Sequence, residues 1–308
     1  MKETILIITG PTASGKTGLA IECAKRFNGE IISCDSMQIY RHLDIGTAKA
    51  TSEEQKSVKH HLIDIVNPDE EFSVQQYVAQ AKLCVSEIVS QGKLPIIVGG
   101  TGLYIKSMMY PYSFCNAPKN EEIRKYYQDI LKDKGKEFLY EILKQKDIEA
   151  CKKIHLNDTK RVIRALEIFD TTGAQKTKSN CEELESNYNS IIVVLNPDNR
   201  EVLYSKINAR VDEMFDKGLV DEFNAVRRGF NLTEKNQSMQ AIGYKELFDL
   251  EESEVNVFDI KEFIKKNSRN YAKRQITFMK GFKKAKWFDP LFQKKEIFKF
   301  IQEELNKI

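Results

Sequence analysis

Long apolar runs are missing from this 308-residue chain. The first run, Thr4 to Thr9, stops at Gly10-Pro11, too short for the core of a secretion signal, and no later stretch nears the roughly 20 residues that a membrane-spanning helix needs. A soluble, cytoplasmic protein with no membrane partner is therefore expected. Metal-binding side chains are scarce as well. The six cysteines (Cys23, Cys34, Cys84, Cys115, Cys151 and Cys181) and four histidines form no CxxC pair and no cysteine–histidine spacing, so neither a zinc site nor a disulfide framework follows. Adjacent His60 and His61 at a strand start would point to opposite faces and cannot converge on one ion. An excess of one charge is also lacking: 48 Lys and Arg against 45 Asp and Glu leave +3, too little to announce a polyanion partner. Its distribution is uneven, however. Between Lys261 and Lys286 ten basic residues face one acid, Glu262, which reads as a solvated helix face or as an electrostatic footprint for nucleic acid.

What is present begins at residue 10. Gly10 to Thr17 read GPTASGKT, a G-x4-G-K-T phosphate-binding loop directly after the apolar run and before an amphipathic pattern carried by Leu19, Ile21, Ala24 and Phe27. A strand, a glycine-rich turn and a helix in that order aim consecutive backbone N–H groups and the positive end of a helix dipole at one anion. Gly10, Thr12, Ala13, Ser14, Gly15, Lys16 and Thr17 are the expected phosphate ligands, Lys16 as a point charge and Thr17 as a hydroxyl ligand for Mg2+. The loop alone does not say whose phosphate it holds.

Further short apolar runs at Glu30 to Cys34, His61 to Val66, Leu94 to Val98 and Ser190 to Leu195 alternate with helical patterns. Continuous rather than alternating hydrophobicity argues for buried parallel strands, hence an α/β class: a phosphate-loop parallel sheet flanked by helices, with ligands at the carboxyl ends of the strands. The polar, helical stretch between the fourth and fifth runs reads as an all-helical insertion. Residues 1–115 with 190–308 form the expected core and 116–189 the insert, with helices over 121–134, 136–146 and 157–171. After Pro197 helices are expected over 200–217, 219–228, 240–248 and 261–282.

Asp35 ends the second run in CDSMQIY, where this architecture does its chemistry, although a turn or helix cap is an equal reading. The fourth run leads into GGTGLY, where Thr101 is the side-chain hydrogen-bonding group among Gly99 to Gly102. An ATPase would more often place an aspartate here, so ATP hydrolysis is disfavoured. Arg210 reads by itself as a partly solvated helix residue, unless a pyrophosphate claims its planar fork.

The phosphate loop together with DSMQIYR (35–41), GTAK (46–49), HHLID (60–64), GGTGLY (99–104), NDTKRVIRALE (157–167), QAIGYKE (240–246) and YAKRQITF (271–278) resembles the tRNA dimethylallyltransferases, the IPP transferase family, across almost the whole chain. The resemblance implies transfer of a dimethylallyl group from dimethylallyl diphosphate to N6 of the adenosine at tRNA position 37, beside the anticodon. The loop would then hold the donor's diphosphate with Mg2+ at Thr17, and Arg210 would clamp the phosphates. By the same resemblance Asp35 is the general base, and Thr101 binds or orients the target base or Asp35. Asp35, Ser36, Met37, Gln38, Thr101, Lys160, Arg161, Arg164, Gln240, Gly243, Tyr244, Lys273, Arg274 and Gln275 would meet the anticodon stem-loop. Arg164 serves equally well as an i,i+3 salt-bridge partner of Glu167. Phe278 stands where the family often has tryptophan and Ile148 where proline is common, departures that touch packing rather than chemistry. The chain shows no zinc-finger pattern at its C-terminal end, which fits a bacterial-type form, and a monomer is expected because a large tRNA needs both lobes accessible.

Three alternatives remain open at this point, one of them a nucleic-acid-binding ATPase or inactive RNA-binding module, against which the presence of Lys16, Asp35, Thr101 and Arg210 together argues. An adenylate isopentenyltransferase would use the same donor and strands on free AMP, ADP or ATP but has no need of a helical insert or a basic stripe. A small-molecule kinase would use the phosphate loop and Asp35 but leaves GGTGLY and YAKRQITF without a role.

Overall fold

The computed structural model describes residues 2–110, 119–173, 185–250 and 256–308; Cys115 and Cys181 lie outside them. The chain divides into two compact units, one made of Met1–Met109 with Ser186–Ile308 and the other of Tyr110–Glu185. The boundaries read from the sequence fall a few residues later at both junctions.

The first unit is built on six strands: β1 (Thr4–Thr9), β2 (Gly29–Ser33), β3 (His60–His61), β4 (Leu94–Gly99), β5 (Asn189–Leu195) and β6 (Lys286–Phe288). They lie in the order β3-β2-β4-β1-β5-β6, and every pairing is parallel, with Leu6 opposite both Ile96 and Ile191. Helices follow in chain order as α1 (Lys16–Arg26), α2 (Ser52–Ser57), α3 (Val74–Ser90), α4 (Gly102–Met109), α5 (Glu121–Lys146), α6 (Ile148–Cys151), α7 (Thr159–Thr172), α8 (Arg200–Asp216), α9 (Leu219–Gly229), α10 (Val257–Met279) and α11 (Lys294–Leu305). The central strands are apolar along their length because both faces are covered. Leu6, Ile8, Ile31, Ile96 and Val193 pack with Leu19, Ala20 and Ala24 of α1 and Ile297 and Ile301 of α11. Strand alternation turns the equally buried Ile5, Ile7, Ile32 and Ile97 to the opposite face. There the Tyr77 hydroxyl of α3 donates to the Ser33 carbonyl at 3.1 Å and its ring stacks on Tyr104 of α4 at 4.1 Å.

The second unit packs α5, α6 and α7 around Tyr127, Leu139, Leu143, Ala150, Val162 and Leu166. Gly135, at φ 81 and ψ 172, breaks α5 where the sequence pattern separates two helices. Asp158, rather than Asn157, caps α7, its Oδ1 accepting from the Arg161 N–H at 3.2 Å, and the helix ends on left-handed Gly173. At its buried centre Glu167 accepts from Arg124 Nε at 2.9 Å and from the Asn120 N–H at 2.7 Å, and forms an ion pair with Arg164, whose Nη1 lies 2.8 Å away.

Two further expectations are corrected, and one strand has no counterpart in the sequence reading. The third strand is two residues long rather than spanning His61 to Val66, because Leu62 and Asp64 take positive φ (60 and 56) and bend the chain out of the sheet; Val66 makes only an isolated bridge to Tyr40. The helix expected over 240–248 is two short 3-10 turns, Ser238–Gln240 and Lys245–Leu250, interrupted at Gly243 with φ 101. Finally, β6 carries no legible run of its own: Lys286, Trp287 and Phe288 extend the sheet only because β5 offers them an edge.

Candidate functional site

β1, β2 and β4 deliver their carboxyl ends to one edge of the sheet, and each end carries a motif: the phosphate loop, Asp35, and Gly99-Gly100-Thr101. Gly15, at φ 85, turns the chain into α1 in a left-handed conformation that a side chain would resist. Helix α1 has no side-chain cap and no acid in its first turn, so its leading N–H groups and dipole remain available to an anion. Ser14 Oγ is buried without a hydrogen-bond partner among the described residues, a further donor at the same place. Lys16 Nζ donates to the Pro11 carbonyl at 2.7 Å. Burial, helped by the positive charge of Arg210, pulls the Lys16 pKa down to about 7, with Asp35 opposing.

Two cavities meet here. The first, about 170 Å³, is lined by Thr12 to Gly18, Asp35, Gln38, Thr47, Gly100, Arg210, Tyr271 and Gln275. The second, about 310 Å³, shares Thr12, Asp35, Thr47, Arg210 and Tyr271 with it and adds an apolar side from Met37, Ile207, Val211, Met214, Ile242 and Ile264. Asp35 is the one carboxylate lining either cavity among the described residues. Its Oδ1 accepts from the Met37 N–H at 2.9 Å, which fixes the carboxylate at the head of the second strand's exit loop. Arg210 is half-buried on α8 rather than spread over a solvated helix face; burial lowers its pKa while the charges of Asp35 and Glu213 oppose the shift.

The structure gathers Thr12 to Thr17, Asp35, Gln38, Arg210 and Gln275 around the first cavity, and Ser36, Met37, Gln240 and Arg274 around the second. Several of these side chains are already engaged by the protein. The carboxamide of buried Gln275 accepts from the Thr12 N–H at 2.9 Å and donates to the Gly100 carbonyl at 3.1 Å, tying the phosphate loop to the turn after β4. Gln38 Nε2 donates to the carbonyls of Thr47 and Ala48 at 3.2 and 3.3 Å. Thr101 lies behind the cavity wall, its hydroxyl accepting from the Ser36 N–H at 3.1 Å, so it acts on the loop that carries Asp35. Gly10, Gly243, Tyr244 and Lys273 also lie outside both linings. Gly243 and Tyr244 are buried, whereas Lys273 and Arg274 are exposed on α10. In the second unit Lys160 and Arg161 are exposed on α7, and Arg164 is the ion-pair partner of Glu167.

Sequence reasoning passed over Tyr271, Thr47 and Lys245, although each lines a cavity. For Tyr271 a signal existed: Ile264, Ser268, Tyr271 and Gln275 recur at helical spacing and present one face of α10 to the site. Burial, with the Asp35 charge next, pushes the Tyr271 phenol well up, so it stays a neutral hydroxyl. No group of three or more His, Cys, Asp or Glu residues suited to a metal occurs among the described residues.

The fold and site thus define a phosphate-loop α/β protein whose anion cradle opens beside a single carboxylate and an apolar cavity. The IPP transferase family profile matches residues 38–282, and the chain belongs to that family. It is 46% identical to the tRNA dimethylallyltransferase of Thermoanaerobacter pseudethanolicus, with 99% of this chain and 100% of that protein covered. It is 48% identical to that of Caldanaerobacter subterraneus subsp. tengcongensis over 94% of this chain and 92% of the relative. Among solved structures it matches the full-length tRNA isopentenylpyrophosphate transferase of Bacillus halodurans with a TM-score of 0.74 at 41% identity, covering 99% of this chain and 98% of the other. A eukaryotic dimethylallyltransferase acting on tRNA gives a TM-score of 0.78 at 28% identity, over 94% of this chain and 75% of that one.

Proposed function

We infer that this protein is a tRNA dimethylallyltransferase, transferring the dimethylallyl group of dimethylallyl diphosphate to N6 of the adenosine at tRNA position 37 and releasing diphosphate. The observation that carries the reading is the lone carboxylate of Asp35, set between the cationic phosphate cradle of Lys16 and Arg210 and an apolar cavity. An allylic diphosphate needs its leaving group's charge neutralised, and preorganised donors supply that. Lys16, Arg210, Ser14 and the amides at the start of α1 are those donors. Asp35, within reach of N6, would accept the proton that the adenine amine loses as the new C–N bond forms. Met214, Val211 and Ile264 would shelter the prenyl group from water. With one acid at the site, a divalent ion such as Mg2+ would find its protein ligand in the Thr17 hydroxyl and its remaining ligands in diphosphate oxygens and water, an arrangement usual for that ion. It would supply further charge neutralisation on the leaving group.

The target adenine has to leave its stacked position in the hairpin loop, at about a few kcal/mol. Exposed Lys273 and Arg274 on the first unit offer phosphate contacts for tRNA, and the second unit by itself offers Lys160 and Arg161. No helix among the described residues is long and apolar enough to cross a membrane, and a cytoplasmic monomer is the form proposed. The test is incubation with labelled dimethylallyl diphosphate, Mg2+ and either unmodified tRNA or AMP. Label on N6 of tRNA adenosine is expected; label entering AMP but not tRNA would turn the reading to an adenylate isopentenyltransferase.

A further inference from the structure

The loop Gly46-Thr47-Ala48 forms part of the boundary between the two cavities: Thr47 lines both, as do Thr12, Asp35, Arg210 and Tyr271, while Ala48 lines the first and Gly46 the second. Turn bonds within the loop, from the Ala48 N–H to the Ile45 carbonyl and from the Lys49 N–H to the Asp44 carbonyl, both at 3.0 Å, give it part of its shape, and Gln38 holds the Thr47 and Ala48 carbonyls. Ala48 sits at φ 44, a left-handed conformation that an L side chain adopts only under constraint. A further constraint comes from a distant helix. Glu222 of α9 turns its carboxylate onto three consecutive backbone donors: Oε2 accepts from the Asp44 N–H at 2.9 Å and the Ile45 N–H at 2.8 Å, and Oε1 from the Gly46 N–H at 3.1 Å. Successive N–H groups converging in this way form an anion-binding nest, here filled by the protein's own side chain. Fully buried Tyr244 closes the arrangement, its hydroxyl donating to Glu222 Oε1 and accepting from the Gly46 N–H at 3.1 Å. The fit is close: a Cβ at residue 46 would come within 2.4 Å of the Tyr244 ring, so glycine there is a steric requirement.

We propose that Glu222 and Tyr244 are positioning residues for the transferase site, setting the 44–48 loop as the wall that places the prenyl diphosphate against Asp35 and the target adenine. The inference rests on the transferase reading above. Neither residue lines a cavity, so both act through the loop. A carboxylate binding a nest of amides adds orientation that a generic packing contact does not, because the three donors have fixed directions. Loosening the loop would shift its Thr47 wall relative to the phosphate cradle, and misplacement of about 1 Å is enough to lower a rate by roughly a hundredfold.

The experiment compares wild type with Glu222→Gln, Glu222→Ala and Tyr244→Phe, measuring kcat and KM for dimethylallyl diphosphate, pyrophosphate affinity by calorimetry, and Tm. Tyr244→Phe keeps the ring against Gly46 and is the variant most certain to fold. Expected are a rise in donor KM and pyrophosphate Kd together with a fall in kcat, about a hundredfold in kcat/KM for Glu222→Ala, and smaller losses for Tyr244→Phe and Glu222→Gln. Gln keeps an acceptor oxygen, so it should recover part of what Ala loses. A merely structural role would lower Tm and the active fraction but leave KM, Kd and turnover per folded site at wild-type values, and that result overturns the proposal. Equal losses in Gln and Ala with unchanged KM overturn it as well. If wild type itself fails to prenylate tRNA, the transferase reading fails, and that failure is separate from this one.

Discussion

Lys16 and Asp35 set the residue-scale chemistry. With its pKa near 7, Lys16 is largely neutral above that pH in the protein alone. A diphosphate oxygen beside it favours the ammonium, so binding takes up a proton and affinity falls as pH rises through 7. Titration calorimetry at pH 8 in buffers of different ionisation enthalpy should show uptake of about one proton attributable to this group, absent in Lys16→Met, which also binds pyrophosphate more weakly. Identical proton uptake in the two proteins would show that Lys16 is already charged before the diphosphate arrives, and unchanged pyrophosphate affinity in Lys16→Met would remove it from the cradle. Asp35→Asn should lower single-turnover rates by about a hundredfold to ten-thousandfold, the worth of one positioned proton acceptor, while pyrophosphate affinity is kept. These two residues were legible in the sequence because Lys16 sits in the G-x4-G-K-T loop that follows the first strand and Asp35 closes the second apolar run. Arg210 was legible only through the family resemblance: helical spacing places it on α8 without saying that the cavities lie on its side.

At the scale of single elements, α7 is the one whose sequence and structure diverge in purpose. Its Lys160 and Arg161 face solvent, but Arg164 is committed to the buried carboxylate of Glu167, with Arg124 of α5 on the other side. Burial pushes the Glu167 pKa up, but Arg164, the Asn120 N–H and Arg124 outweigh it and hold the carboxyl below its ordinary 4.5. A depressed carboxylate stabilises fully above its unfolded pKa and loses that contribution as pH falls through the folded value. Glu167→Gln leaves two arginines short of their counter-ion and should destabilise the helical unit by about 3 kcal/mol at neutral pH. Urea melts followed by tryptophan-independent probes such as far-UV dichroism should show this gap closing below pH 4.5. A gap independent of pH would mean packing, and not charge, is what the substitution removes. Arg164→Ala is therefore expected to weaken the fold of this unit as well as any RNA contact, whereas Lys160→Ala should leave its stability unchanged.

On the scale of the whole molecule, the basic stripe is not one surface. Lys261 and Lys265 both pair with Asp212 of α8 at 2.8 Å, and Arg269 donates to Asn208 at 2.6 Å, so this part of α10 is spent on holding two helices together. Lys273 and Arg274 are exposed. Replacing both with alanine should reduce the slope of log Kd against log salt for unmodified tRNA by about 2, uniformly across tRNA species, as expected for phosphate contacts. Lys261→Ala with Lys265→Ala should change that slope little and lower Tm instead. A slope that responds equally to both pairs would return the stripe to a single RNA-binding face.

The parallel strands, the phosphate loop, the strand-end position of Asp35 and the existence of a helical insert could all be read before folding, because each depends on residues adjacent in the chain and on the periodicity of burial. Tertiary structure alone decided which side chains were already occupied. Gln275 reaches Thr12 across 263 positions, and Glu222 reaches Ile45 across 177. Such contacts leave no local pattern: a glutamate on an amphipathic helix reads the same whether it faces water or three backbone amides. Only the tertiary placement of α9 beside the 44–46 loop, and of α10 beside the phosphate loop and the turn after β4, brings those donors and acceptors within hydrogen-bond distance.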